Sequence, residues 1–386
     1  VAFGDDWLPR VELTLRAHDG GEFDVHLYEV YWAPLTEGKV TARDAIGFLL
    51  GAGLRGMRYC ARGSFDRWMF GRRAVFTLPR RGVLQLGAAM AAFLALLLGF
   101  VGVATATVAE IVRFLHPGAT PPPPSWVPTI PDAWMLGALA ASLVVFTSLR
   151  WFLVQSVGDV AAYISAHRAS RFAEIRRAIK DAARTVARNV YAARHRETGE
   201  PQYEHVLMVG HSLGSVLVYD MLNDSINGDL LAGESGGETL DVVRRTKLLL
   251  TLGSPLDKTA FIFRTQKDDA PLREALAAAA QPMIVSYANR PARWINIWSP
   301  FDWISGSVEY YDEQQSGDGA SGVENVRERG VPLDPVRAHL GYWKRAEFGE
   351  RLYEAVAACG AGGARGVRAQ EAQLPERPSL GMGVER

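Results

Sequence analysis

Cysteine is nearly absent from this chain. Cys60 and Cys359 are the only two among 386 residues. A pair so far apart gives no metal-ligand spacing and no disulfide framework, and it fits a reducing compartment. Surplus charge is absent as well. The 42 Lys and Arg are matched by 42 Asp and Glu, for a formal net charge of zero. No global field therefore draws nucleic acid or acidic partners, and only local clusters of charge are informative. No zinc-ligand pattern and no phosphate-binding glycine loop is present, so no metal and no cofactor is expected. Histidine is scarce, at eight residues. The chain begins Val1-Ala2-Phe3 with neither methionine nor an apolar signal core, so a fragment or processed product is expected.

What is present is strongly apolar in places. The chain is 48% hydrophobic and 22% charged, which describes a folded protein with a lean toward membrane. Val83 to Ala109 holds no charged residue, more than the ~20 residues that cross a bilayer. A stiff connector follows over residues 116–131, with Pro117, Pro121 to Pro124, Pro128 and Pro131. Trp134 to Leu149 is a second apolar stretch, broken at Arg150 and resuming from Trp151 to Val157. Trp126, Trp134 and Trp151 lie near the ends of these spans, where interfacial aromatics belong. The two stretches read together as a transmembrane hairpin, with buried core helices as the alternative. Arginines crowd before Val83 and after Leu149, so both long flanks are expected on the cytoplasmic side.

One stretch carries chemistry. His205-Val206-Leu207-Met208-Val209 runs into Gly210-His211-Ser212-Leu213-Gly214, and Ser215 to Leu222 then reads as a helix. A buried strand, a tight turn and a helix are the context a G-x-S-x-G nucleophile elbow requires. The strained turn lifts the Ser212 Oγ clear of the sheet. Gly210 and Gly214 are expected to leave room where a Cβ would meet neighbouring backbone. The helix N-terminus turns free N–H groups toward the reacting centre, and the Leu213 N–H is the assignable oxyanion donor.

Around this stretch the pattern alternates strands and helices. Residues 1–23 read as polar and irregular, and Asp24 to Trp32 as a strand. Thr41 to Leu54 reads as a helix with Thr41 as N-cap, followed by a basic, aromatic segment from Arg55 to Arg81. Asp159 to Arg196 reads as a long helix rich in arginine, either a solvated basic face or a contact for anionic headgroups. After the elbow, Asn223 to Gly237 reads as loop, Lys247 to Leu252 as a buried strand, and Pro271 to Ala280 as a short helix. Trp294 to Trp298 reads as a strand, residues 312–334 as polar loop, and Lys344 to Ala358 as the last helix. Gly360 onward is rich in glycine, alanine and proline without periodicity and is expected to be disordered.

A serine nucleophile needs a general base, and the base needs a carboxylate to orient it. When the three follow in the order serine, acid, histidine, as on an α/β-hydrolase sheet, the base must lie beyond the elbow. His339 is the only histidine there. Asp302 follows the Trp294–Trp298 strand directly and is the first choice for the acid. Asp257, after Gly253-Ser254-Pro255, is the second, while Asp312 and Asp334 read as solvated loop residues.

These features together resemble an α/β-hydrolase. Gly210-His211-Ser212-Leu213-Gly214, then Thr251-Leu252-Gly253-Ser254-Pro255, then Asp302 and His339, are most similar to the class 3 lipase-like branch. The likeness covers about residues 200–345 and, weakly, the strand at 24–32. It implies an α/β fold with a mostly parallel sheet and cofactor-free serine hydrolysis of an ester or lipid. Ser212, Asp302 and His339 take the triad roles, and Gly210, His211 and Gly214 shape the elbow. One departure is that no His-Gly-x-Gly loop precedes Asp24 to supply the first oxyanion donor.

Four segments follow: an N-terminal part of the hydrolase domain over 1–81, the hairpin over 82–158, the catalytic core over 159–358 and a tail over 359–386. The expected activity is that of a membrane-anchored serine hydrolase acting on a lipid or acyl ester, with the bilayer as partner and no nucleic acid. A catalytically idle scaffold that binds or regulates at the membrane is the competing reading. A thioesterase or acyltransferase using the same residues is a third.

Overall fold

The computed structural model describes residues 2–3, 6–16, 21–69, 72–116, 170–264, 293–312, 322–328 and 334–371, with single positions at 137, 144, 147, 162 and 163. The chain opens with β1 (Ala2–Phe3) and β2 (Asp6–Trp7), then the antiparallel hairpin β3 (Arg10–Arg16) and β4 (Glu22–Tyr28). Helix α1 (Ala42–Cys60) begins at a capping box. The Asp44 N–H donates to the Thr41 side chain, and the Thr41 N–H donates to Asp44 Oδ2 at 2.9 Å. A second hairpin, β5 (Ser64–Met69) and β6 (Arg72–Thr77), leads into α2 (Arg80–Leu115), a single helix of 36 residues.

The remainder is built on a different plan. Its elements are α3 (Ser170–Ala192), β7 (Val206–His211), α4 (Leu213–Glu234), α5 (Val242–Arg245), β8 (Thr246–Leu252), α6 (Leu256–Arg264), β9 (Trp294–Trp298), β10 (Val323–Arg327), α7 (Pro335–Leu340) and α8 (Ala346–Glu371). Strands β7 to β10 form one sheet in the order β10-β9-β8-β7, and every pair is parallel. Parallel strands need crossover connections that place helices on the sheet faces, so their residues are apolar on both sides. The Leu248-Leu249-Leu250 run shows this. Leu248, Leu250 and Leu252 enter one core with Ile295, Ile297 and Ala355 of α8. Leu249 points into the other, with Met208, Val216, Leu217 and the α3 residues Ile175 and Ile179. The architecture is α/β, a parallel sheet between helical layers.

Register sets the site. His211 pairs with Leu252, Leu252 with Ile297, and Trp298 with Arg327. The ladder continues one step further, with the Ser212 N–H donating to the Leu252 carbonyl at 2.9 Å and the Gly253 N–H to the Ile297 carbonyl at 3.0 Å. The residues just past β7, β8 and β9 therefore share one edge, the carboxyl edge of the sheet. Ligands bind there in open α/β sheets.

Several elements depart from the sequence reading. Residues 1–23 contain strands β1 to β3 rather than irregular chain, and the basic 55–81 segment contains the β5–β6 hairpin. The strand expected at 24–32 is β4, which pairs only with β3 in its own two-stranded sheet. Asn223 to Gly237, read as loop, is helical as far as Glu234. Its polar residues are helix-compatible because partners meet them: Asp224 receives Lys180 at 3.1 Å and Arg184 at 3.0 Å from α3. Residues 312–334, read as loop, contain β10. The tail expected to be disordered from 359 is helical to Glu371. The helix expected at 271–280 and most of the second apolar stretch, 134–157, lie outside the described residues. Of the two expected membrane spans, only the first is described throughout, as the helix α2. Among the described residues no helix is long and apolar enough to cross a membrane, so the expected transmembrane hairpin is not seen.

The basic helix also resolves. Of the expected 159–196 span, α3 covers Ser170–Ala192, with Phe172, Ile175, Ile179, Ala183, Ala187 and Tyr191 buried against the core. Arg176 is buried and pairs with Asp220 of α4 at 3.2 Å, and that carboxylate also accepts from the Tyr163 hydroxyl at 2.7 Å. Part of the basic face is therefore neutralised by α4.

The two elbow glycines differ. A Cβ on Gly210 would lie 2.6 Å from the Gly214 carbonyl oxygen and 2.6 Å from Ser215 Cα, both backbone, whereas a Cβ on Gly214 would meet nothing within 4 Å. Gly210 is required by close approach of strand and helix; Gly214 is not, contrary to the expectation for both. Gly210→Ala should destabilise the fold by about 1–3 kcal/mol or more, because no flexible group can yield. Gly214→Ala should stay within about 0.5 kcal/mol of the parent. Chemical denaturation of the two variants checks the contrast.

Candidate active site

The elbow is strained as its sequence suggests. Ser212 has φ 54° and ψ −129°, and Asp241 is the only other non-glycine residue with positive φ among the described residues. Such a conformation costs ~1–3 kcal/mol and persists only where its surroundings fix it. They do. The Ser212 N–H extends the sheet ladder, and the Ser212 carbonyl accepts from the Ser215 N–H at 2.9 Å and the Ser215 hydroxyl at 2.6 Å. Ser215 Oγ also lies 2.7 Å from Ser254 Oγ, in the turn after β8. The Gly-Ser-Pro turn therefore braces the elbow from the neighbouring strand.

His339 sits in the last turns of the short helix α7, which Asp334 caps by accepting from the Val336 and Arg337 N–H groups. Its Nε2 is 2.9 Å from Ser212 Oγ, and its Nδ1 is 2.8 Å from Asp302 Oδ2. Asp302 is fully buried and His339 is 8% exposed, while Ser212 keeps partial access to solvent. The expected Ser212, His339 and Asp302 are thus brought together in one chain of hydrogen bonds. An ionised Asp302 can only accept, so Nδ1 of His339 carries the proton and Nε2 is left to accept from the serine hydroxyl.

Every acceptor position of Asp302 is used. Oδ1 receives the Ile304 N–H at 2.8 Å and the Ser305 N–H at 3.2 Å, and Oδ2 receives Tyr342 Oη at 3.0 Å beside His339. Burial pushes the carboxyl up, but the bonds to His339, Ile304 and Ser305 outweigh it and hold Asp302 below the usual carboxylate range. Asp257, the second candidate, is committed elsewhere. Its carboxylate accepts the Glu309 N–H at 2.9 Å and the Tyr310 N–H at 3.0 Å, tying α6 to the segment after the acid loop. Asp312 lies outside the cluster.

Tyr342 and Gly253 support the site without having been expected there, and His211 of the elbow does more than shape the turn. Tyr342, three residues past the base and fully buried, donates to Asp302, accepts the Ser299 N–H at 3.0 Å and lies 3.1 Å from Ser305 Oγ. Gly253 has φ 54°, and a Cβ there would sit 2.6 Å from the Tyr342 ring and 3.3 Å from Asp302 Oδ2. His211 lies 2.8 Å from the His339 carbonyl through Nε2, with its ring 4.9 Å from the His339 ring. Burial and the proximity of His339 lower its pKa, so it serves as a neutral ring that donates to that carbonyl. The elbow motif contained His211 and the Gly-Ser-Pro turn contained Gly253, but nothing in the sequence pointed to Tyr342. Beneath the base, Glu328 at the end of β10 pairs with Arg345 at 2.9 Å and is pushed up to about 7 by burial, with Arg345 opposing.

Leu213 is the first residue of α4, so its N–H has no intrahelical acceptor. The rim is apolar. Phe301, Trp303 and Ile304 on the acid loop and Leu340 and Trp343 after the base are all exposed, between 38% and 64%. No group of three or more His, Cys, Asp or Glu that could hold a metal occurs among the described residues.

Comparison with protein-family models, with curated proteins and with solved structures gives no match. Function is therefore argued from the site itself.

Tyr342→Phe should strand the Ser299 N–H and remove one donor from Asp302. The expected loss is about 1–3 kcal/mol of stability, measurable by urea unfolding.

Proposed function

We propose that this chain is a serine hydrolase of the α/β-hydrolase type that cleaves an ester with an apolar acyl group through an acyl-enzyme. The observation that carries the reading is the continuous path Ser212 Oγ to His339 Nε2 at 2.9 Å and His339 Nδ1 to Asp302 Oδ2 at 2.8 Å. It lies on a positive-φ turn between a parallel strand and a helix. In this mechanism Ser212 Oγ attacks the ester carbonyl carbon while His339 Nε2 takes the hydroxyl proton. The Leu213 N–H stabilises the resulting oxyanion. The carbon–oxygen bond to the alcohol then breaks, and His339 passes the proton to the departing alcohol. Water attacks the acyl carbon, gives one proton to His339, and the carboxylic acid leaves as Ser212 regains its proton. No cofactor or metal enters these steps.

Substrate class and location follow from the surroundings. The exposed aromatic and aliphatic rim suits an acyl chain rather than a sugar or peptide. The charge-free run in α2 supports attachment to a bilayer, and the arginine-rich flanks favour a cytoplasmic side for the catalytic part. A non-catalytic membrane scaffold is the competing reading, favoured by the single assigned oxyanion donor. A thioesterase or acyltransferase would use the same residues with a different substrate or acceptor.

Fluorophosphonate labelling of the detergent-solubilised chain tests this. Ser212→Ala should abolish labelling, and His339→Ala and Asp302→Asn should slow it roughly a thousandfold. Asp257→Asn should label within threefold of the parent, because Asp257 holds backbone rather than the base. No labelling of the parent chain would sink the enzyme reading in favour of the scaffold. Product analysis on an ester, a thioester and an added alcohol acceptor separates the remaining classes.

A further inference from the structure

Between Val83 and Ala104 the only strongly polar side chain is Gln85. An isolated amide in so apolar a run is costly unless its hydrogen bonds are made. Both halves of this amide are used, and both lead to the loop that carries Asp302. Gln85 Nε2 donates to the Pro300 carbonyl at 3.4 Å. Gln85 Oε1 accepts from Lys258 Nζ at 3.3 Å. Lys258, in the first turn of α6, donates further to the Trp303 carbonyl at 2.6 Å and the Ser305 carbonyl at 2.9 Å. The three ammonium protons thus have three acceptors, two on the acid loop and one on α2. Those two carbonyls flank the stretch whose Ile304 and Ser305 N–H groups bind Asp302 Oδ1. The same short loop is gripped by Lys258 from one side and by the catalytic carboxylate from the other.

The first turns of α2 also make a cation–ring contact and apolar packing contacts. Arg81 lies over the Trp298 ring at 5.6 Å. Leu86 and Met90 meet the helix α1 at Gly56 and Gly53 through apolar contact. Burial lowers Lys258 to about 8, opposed by Asp302 and Asp257, as fits an amine enclosed among these groups.

We propose that Gln85 and Lys258 form a clip through which the apolar helix α2 holds the Asp302 loop in register, making both positioning residues for the triad. The consequence is that the seating of α2 governs the speed of acyl transfer rather than the binding of the acyl group. This rests on the serine hydrolase reading above.

The test uses the full chain in detergent with an alkyl fluorophosphonate, resolving the maximal labelling rate from the half-saturating concentration. Hydrogen exchange of residues 299–307 is measured in parallel. Gln85→Leu and Lys258→Met should slow maximal labelling about tenfold, with half-saturation within twofold of the parent. Exchange at 299–307 should accelerate about tenfold. Gln85→Glu keeps an acceptor for Lys258 and should restore both readings to within threefold, which a loss of general packing would not permit. Unchanged exchange in Gln85→Leu and Lys258→Met overturns the clip whatever happens to labelling. Altered exchange with labelling within twofold, an effect confined to half-saturation, or failure of Gln85→Glu to improve on Gln85→Leu, overturns the positioning role. A parent chain that exchanges as expected but never labels overturns the hydrolase reading, and the catalytic role of the clip with it.

Discussion

The site depends on one buried charge. Asp302 has no exposure to solvent, and an ionised carboxylate removed from water is unfavourable by several kcal/mol unless its oxygens are fully bonded. Four donors meet it, from Ile304, Ser305, Tyr342 and His339. They come from three parts of the carboxyl edge, with Ile304 and Ser305 on the acid loop itself. Satisfying the charge therefore also fixes the acid loop, the tyrosine after α7 and the ring of His339. Gly253 shows how tight this is, since a single methyl there would strike the Tyr342 ring and crowd Asp302.

The elbow is held by a second and separate set of bonds. Ser212 adopts its strained turn because the sheet ladder holds its N–H and the Ser215 hydroxyl, itself met by Ser254, holds its carbonyl. His211 then links the two sets by reaching from the elbow to the His339 carbonyl. His339 and Ser212 are thus aligned through backbone as well as through their own hydrogen bond. Preorganisation of this kind lets an active site hold reacting groups at bonding distance without motion at the moment of reaction.

Charge pattern and charge role part company in α3. Its arginines look from the sequence like a surface for anions, yet Arg176 is buried against Asp220, and Lys180 and Arg184 meet Asp224. The acids that absorb them lie on α4, and one of them, Asp224, lies within a polar run that reads as loop. The helix persists because partners from α3 meet that run side by side. Neither fact is visible in either segment alone. Strands β5, β6 and β10 were missed for a related reason: they are polar or basic on one side and carry no strong alternation of their own.

Much of the site was legible in the residues themselves. The apolar run before Gly210 specifies a buried parallel strand, because only crossover helices can cover both its faces. A strained turn followed by a helix specifies where Ser212 stands. The scarcity of histidine leaves His339 as the one base in the right order, and the strand before Asp302 places an acid on the same edge. Those are local or one-dimensional constraints, and a sequence carries them directly. Which aspartate reaches His339 is decided only by tertiary structure, since both follow strands and only folding brings Asp302 to the ring and commits Asp257 to two backbone N–H groups. Tyr342, His211 as a brace, and the Gln85–Lys258 link were invisible for the same reason. Each acts across long sequence separation, and a hydrogen bond between distant residues depends on register and packing that no single stretch of chain encodes.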